Sequence, residues 1–498
     1  MTKLSFWFGA CMALILMCGL AIYWWPRQQS TDIAASAAEV PTASRPLATL
    51  PPTPTATPAE LRFPSGSRIG SVSVAGLTET EARRQIRETY APQLAPLTLS
   101  GPAGSTILSA EDIGLALPLE ATIAEALRLS EGSDAPVSLP LSPTYDLDRL
   151  REAVDQQAAA LALSPTVGLD KKAWTFVLTP GLALDTDETL ARITTALELE
   201  SGSRRVVLAT TPITSGLAAT PDQLYDALAA REKKWGGIIG VAFTDLTTGE
   251  SLSYHGDTVF SGMSVIKIGI LLQAYISRGT FTAGQREAID MMIIKSDNDS
   301  SNELLAMIGD GDGLDGAQIM NQTLRDVLGL EYTAQELPFE SADYLIKERG
   351  LEITRHGREG EPPYTDADEY VRATPNDLVR LVTAIVQCSE GDGPLLEMAE
   401  TELTADRCAE MLTVMARNED TNKIVAGVPA GTFVAHKSGW IDDARADAGY
   451  VRPVKGNPYA ISMWMWDVDY IPTEVSDPFL ASVSRLVYTA QHPVLAGK

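Results

Sequence analysis

Hydrophobic and polar positions divide this chain into four textures. Leu4 to Trp25 is an uncharged apolar run of spanning length, with Lys3 before it, Arg27 after it, and Trp24 and Trp25 placed as an interfacial belt. It reads as a single-pass membrane anchor over residues 1–26. A cleaved signal peptide is the rival reading, because Ala35-Ser36-Ala37 has a small-residue cleavage pattern, but the apolar run is long for that. The short basic side is expected in the cytoplasm, which places the rest of the chain outside the cell membrane. Residues 27–60 then lose apolar periodicity and are rich in Pro, Thr, Ala and Ser, the composition of an extended tether.

From 61 to 216 the pattern is one of short strands and amphipathic helices, and it repeats. Gly114 to Leu127 and Gly181 to Leu197 share Gly-Leu-Ala-Leu, four variable positions, then Thr and an apolar-periodic helix. Strand-like segments flank each copy, which predicts a tandem α+β module. Chance similarity between small-residue helices is the alternative. A further helix is expected to open at Thr78 or Thr80.

From 220 to 498 the texture is that of one mixed domain. "IIGVAFTDL", "GTFVAHKSGW" and "YAISMWMWD" read as strands, and helices are expected between them, one of them with Thr374 as N-cap and Pro375 at its first position. Strands from both ends of the region imply one sheet assembled from distant segments. Within it, "SGMSVIKIGILLQAY" predicts a helix buried on all sides, yet it contains Lys267. A buried ammonium costs several kcal/mol, on the order of a full ion-pair desolvation, unless something pairs with it. Ser264 stands three residues earlier, on the same helical side.

Composition narrows the function classes. The chain has 498 residues, a formal charge of −26 and a pI near 4.6, which argues against nucleic acid as partner. Cys11 and Cys18 lie in the apolar run; Cys388 and Cys408 could form one disulfide in an oxidising exterior or stand as two buried thiols. Four scattered histidines and no Cys/His cluster predict neither metal nor cofactor.

Three short groups then follow in order: Ser264-Val265-Ile266-Lys267, Ser296-Asp297-Asn298 and Lys437-Ser438-Gly439. Each is weak alone, but together they are the S-x-x-K, S-D-N, K-[ST]-G set, and residues 225 to 495 resemble class A β-lactamases and penicillin-binding-type serine hydrolases. The resemblance implies an α/β (α+β) β-lactamase/transpeptidase-like fold, with an antiparallel sheet and a helical subdomain. It implies Ser264 as nucleophile, Lys267 as its base and Ser296 as proton relay. Asn298, Lys437, Ser438 and Gly439 would bind substrate, and the backbone N–H groups of Ser264 and Trp440 would form the oxyanion hole. Asp297 is expected to fix its turn, with Ser300 and Glu303 as a capping box for the next helix, and His436 to be structural. Residues 65 to 215 more loosely resemble the peptidoglycan-binding module of vancomycin-resistance-W-like proteins, which implies a wall-binding or spacer role.

Two departures from the family pattern matter. Only about thirty residues separate Ser264 from Ser296, where better-known lactamases carry a longer helical insert. The E-x-x-L-N segment of class A enzymes has no copy, and Glu361 in "EGEPPYTDADEY" is the nearest candidate for a deacylation base. Three functions follow: a membrane-anchored serine hydrolase opening β-lactams, a D,D-peptidase acting on peptidoglycan stem peptides, or a wall-binding surface protein without turnover.

Overall fold

Strands from the two ends of the 220–498 region lie side by side, because each alternates or runs apolar and each needs a paired neighbour for its backbone groups. In the computed structural model, which describes residues 60–199, 204–214, 216–355, 357–399 and 401–496, they form a five-stranded antiparallel sheet. Its order is Ser251–Tyr254, Ile238–Asp245, Tyr459–Trp466, Ala444–Arg452, Phe433–Trp440, so the strand bearing Lys437-Ser438-Gly439 is an edge. The expected anchor and nearly all of the tether lie outside the described residues. Among the described ones, no helix is long and apolar enough to cross a membrane.

Both faces of the sheet are covered, which explains why the strands Ile238–Asp245 and Tyr459–Trp466 run nearly apolar. One face packs on helices Lys267–Ser277 and Pro375–Ser389, with Ile270, Leu271, Val382 and Ile385 all fully buried. The other packs on helices Pro221–Trp235 and Thr473–Gln491 through Leu228, Val483 and Leu486. The helix at Pro375 has the expected Thr374 cap, whose side chain accepts from the Asp377 N–H. Cys388 on that helix is disulfide-bonded to Cys408 on helix Ala405–Met415.

The 61–216 region shows one order of elements twice. Helix Glu79–Tyr90, hairpin Leu97–Leu108, Gly-Leu-Ala-Leu, helix Leu119–Ser130 and strand Ser138–Leu139 are followed by helix Leu147–Leu161, hairpin Thr166–Thr179, Gly-Leu-Ala-Leu, helix Thr186–Glu198 and strand Arg205–Val207. The first helix opens at Thr78, which forms a reciprocal capping box with Glu81. Each hairpin gains a parallel third strand from further along the chain: Arg68–Ser73 takes Ser138–Leu139, Leu97–Leu108 takes Arg205–Val207, and Thr166–Thr179 takes Val494–Leu495. The last pairing carries the hairpin's Trp174 and Phe176 into the core behind the five-stranded sheet. Arg231 stacks there, 4.0 Å from the Phe479 ring centroid and 5.1 Å from that of Trp174. Apolar packing is therefore continuous across residues 216–220, and the chain from Leu61 onward is one compact unit.

Candidate active site

Ser264 sits ahead of its helix rather than inside it. Regular α-helix runs from Lys267 to Ser277, and the preceding turn is tight, with Lys267 N–H donating to Ser264 O and Gly269 N–H to Ile266 O. Met263 enters that turn with φ of 48°, a left-handed conformation uncommon for its side-chain type. The turn is anchored where Gly262 N–H donates to Val371 O. Ser264 and Lys267 still meet, because a tight turn brings residues three apart onto one side.

Lys267 is fully buried, and its Nζ lies 3.1 Å from Ser264 Oγ, 2.8 Å from Ser296 O and 2.7 Å from Asn298 Oδ1. The last two atoms can only accept. A neutral amine must therefore spend both N–H bonds on them, which turns its lone pair toward the Ser264 hydroxyl. Burial, and then the Lys437 ammonium, pull the Lys267 pKa down to about 7, against the opposing pull of Asp297 and Glu340. The Phe339 ring, 4.7 Å from Nζ, closes this side of the site.

The Ser296-Asp297-Asn298 turn is built to present those acceptors. A π-turn over Met291–Lys295 ends at Ser296 in left-handed geometry, φ 62° and ψ 32°. Asp297 then caps helix Asn298–Ile308, its carboxylate accepting the Ser300 N–H at 2.7 Å. Asp297 is thus the cap, and the expected Ser300/Glu303 box is not: Ser300 already lies inside the helix. Asn298 is oriented by a second bond, Nδ2 donating to Glu340 Oε1 at 2.7 Å.

On the edge strand, Lys437 is fully buried and donates to the Ser438 carbonyl at 2.6 Å. Burial lowers its pKa to about 8, with Asp447 and Asp420 pulling the other way and Lys423 adding to the fall. Gly439 faces the turn that carries Ser264. A Cβ there would lie 2.9 Å from both Ser264 N and Met263 Cβ, so glycine is what lets strand and turn touch. Ser438 is buried, whereas the Trp440 side chain is 67 % exposed beside it. His436 is buried against Asp447, Nδ1 to Oδ1 2.8 Å, and Asp447 also accepts the Ile424 N–H.

Ser264, Lys267, Ser296 and Asn298 are therefore gathered by direct contacts, and Gly439 brings the Lys437 strand against them. Glu361 is held elsewhere: its N–H donates to Asp257 O and its carbonyl accepts from Thr258 Oγ1. No hydrogen bond or ion pair joins it to Ser264, Lys267, Ser296 or Asn298. The acid that does reach the site, Glu340, escaped the sequence reading, because no motif spacing marks it. Its loop is placed by Asn302, which exchanges two hydrogen bonds with the Phe339 backbone at 2.8 and 3.0 Å. Among the described residues, no group of three His, Cys, Asp or Glu side chains is arranged to hold a metal.

The model of the Beta-lactamase2 family, the beta-lactamase enzyme family, matches residues 223–282 and 282–491, more than half of the chain. Among solved structures, similarity extends to a PBP-A mutant in acyl-enzyme complex with penicillin G (23% identity, TM-score 0.40, covering 54% of this chain and 95% of that one). An ancestral class A β-lactamase (21%, 0.41, 54% and 100%) and a class A β-lactamase from Mycobacterium abscessus (22%, 0.40, 54% and 98%) are similar to the same extent. No curated protein matches. With that family match over the region that holds the serine and both lysines, the chain belongs to the beta-lactamase enzyme family and is a serine β-lactamase-like hydrolase.

Proposed function

We propose that this enzyme opens β-lactams by acyl transfer to Ser264 and then hydrolyses the ester. The observation that carries the reading is the placement of Lys267 Nζ, 3.1 Å from Ser264 Oγ while bonded to two groups that can only accept. In acylation, Ser264 Oγ bonds to the lactam carbonyl carbon while its proton passes to Lys267 Nζ. The C–N bond then breaks, and the proton reaches the leaving nitrogen through Ser296. Lys437 and Ser438 hold the substrate carboxylate, and the Ser264 and Trp440 N–H groups hold the oxyanion. For the second step we assign Glu340 rather than Glu361 as the base that activates water, since it is the carboxylate bonded to Asn298.

A D,D-peptidase is the second reading, favoured by the 61–216 region with its resemblance to a wall-binding module. Anchoring at the cell membrane through residues 1–26, with the hydrolase outside, belongs to either reading. The Cys388–Cys408 bond supports an oxidising compartment. Incubation of the purified protein with a fluorescent penicillin and a chromogenic cephalosporin separates the readings. Turnover of both with transient Ser264 labelling is expected, stable labelling would favour the peptidase, and no labelling would leave a surface protein without turnover.

A further inference from the structure

The connection between helix Ala405–Met415 and the short helix Ile424–Gly427 crosses the open side of the edge strand. Met411 and Met415 pack in the core on the Lys267 side of the sheet, Ile424 packs in the core on the other side, and both helices touch the edge strand. The connection is fixed where it crosses. Asn418 Nδ2 donates to Ile293 O at 2.7 Å, and Glu419 N–H donates to Ile294 O at 3.4 Å, which ties it to the turn that presents Ser296. Asp420 follows, its N–H donating to Asn418 Oδ1 at 3.0 Å. Its carboxylate accepts the Asn422 N–H at 3.3 Å and lies within hydrogen-bonding reach of the Ser438 hydroxyl.

Three acids gather behind Ser438, and only one of them faces outward. Lys423 is buried and ion-paired with Asp420 and, at 3.2 Å, with Asp477, so it is already neutralised. Asp447 is taken up by His436 and the Ile424 N–H. The Asp420 side chain keeps 23 % of its surface exposed, against 4 % for Lys423 and none for Asp447. With Asp447, it favours the charged form of Lys437. A group arriving at Ser438 therefore meets an ammonium that can only donate and a carboxylate that can only accept. A free carboxylate suits the first and is repelled by the second, because Ser438 has one hydroxyl proton for two anions. A primary carboxamide suits both: its oxygen accepts from Lys437 and its N–H donates to Asp420.

We propose that Asp420 is a specificity-determining residue, which makes the Lys437–Ser438 end of the cleft a mixed donor–acceptor subsite. It admits a leaving group that ends in a primary carboxamide as readily as one that ends in a carboxylate. This rests on the acyl-serine reading, in which Lys437 and Ser438 hold the far end of the leaving group. Asp420 touches neither the acyl group nor Ser264.

Two thioesters with the same hippuryl acyl group test it, one with thioglycolate as leaving group and one with its primary amide, 2-mercaptoacetamide. In each, Ser264 Oγ bonds to the carbonyl carbon while its proton passes to Lys267, the C–S bond breaks and the thiolate leaves. Water then hydrolyses the ester. Wild-type kcat/KM for the two is expected to agree within about threefold. Asp420→Asn removes the repelling charge and should raise kcat/KM for the carboxylate ester by about tenfold, chiefly through KM, a modest share of what a like-charge contact costs. The carboxamide ester should change by no more than about twofold, since the asparagine oxygen still accepts. A wild-type preference of about tenfold or more for the carboxylate overturns the subsite, and that comparison needs no variant to fold. So does an Asp420→Asn protein that loses rate on both esters alike, the result expected of an acid that only supports the turn. Failure of wild type to react with either thioester or with penicillin overturns the acyl-serine reading and this one with it, and is recognised because both leaving groups fail together.

Discussion

The Ser264 amide nitrogen lies 2.9 Å from the point where a side chain on Gly439 would begin, so the Ser264 turn and the edge strand meet backbone to backbone. Contact this close fixes the depth of the cleft between Ser264 Oγ and the strand. Gly439→Ala must push the turn or the strand away, because the obstructing atoms include main chain. Displacement by a fraction of an ångström suffices to disturb attack, and a fall of about a hundredfold in acylation rate is expected. Stopped-flow acylation beside a melting curve checks this: the rate should collapse in protein that still unfolds cooperatively.

The two lysines set opposite limits on pH. In the proposed acylation Lys267 acts as base only when neutral, and its pKa is about 7, so activity should be lost as pH falls through that value. In the same reading Lys437 holds an anionic substrate only when charged, and its pKa is about 8, so binding should be lost as pH rises through that value. A narrow bell in kcat/KM between those limbs is the expected profile. Glu340 favours the charged form of Lys267, so Glu340→Gln should move the acidic limb to lower pH.

Glu340 and Glu361 make different predictions for the ester intermediate. Glu340→Gln keeps an oxygen to accept from Asn298 but loses the base. The acyl-enzyme should then outlive that of wild type by about a hundredfold or more, while acylation persists. Glu361→Gln should leave the lifetime unchanged. Intact-mass measurement of the penicillin adduct over time distinguishes the two carboxylates directly.

How much of this was legible beforehand depended on the range of the interaction. The buried helix at Lys267, the Thr374 cap and the three strands could be read, because each is declared by residues within one turn or one pleat. The same locality made the Ser264, Ser296 and Lys437 groups recognisable as motifs. Glu340 was invisible because its place comes from Asn302, 38 positions back, gripping the backbone of its neighbour Phe339. The third strand that Val494–Leu495 adds to the Thr166–Thr179 hairpin was invisible for the same reason: two residues paired across most of the chain leave no periodic trace. The Ser300/Glu303 pattern misled in the other direction, since a better acceptor, Asp297, lies three residues earlier.

The Cys388–Cys408 bond, open as a choice between disulfide and thiols from sequence, predicts a stability effect separable from catalysis. It spans 20 residues and joins helices Pro375–Ser389 and Ala405–Met415, both packed in the core beside helix Lys267–Ser277. Closing a loop of that length restricts the unfolded chain, a stabilisation of about 3 kcal/mol. Both cysteines are fully buried, so adding reductant to folded protein is a poor test. The double variant Cys388→Ala/Cys408→Ala removes the bond instead, at a small further packing cost. Its melting temperature should fall by about 5–10 °C, with acylation of the protein that stays folded close to wild type. A variant that melts with wild type would mean the bond does not form, and a variant that stays folded but acylates slowly would mean that the bond positions the nucleophile helix as well as stabilising it.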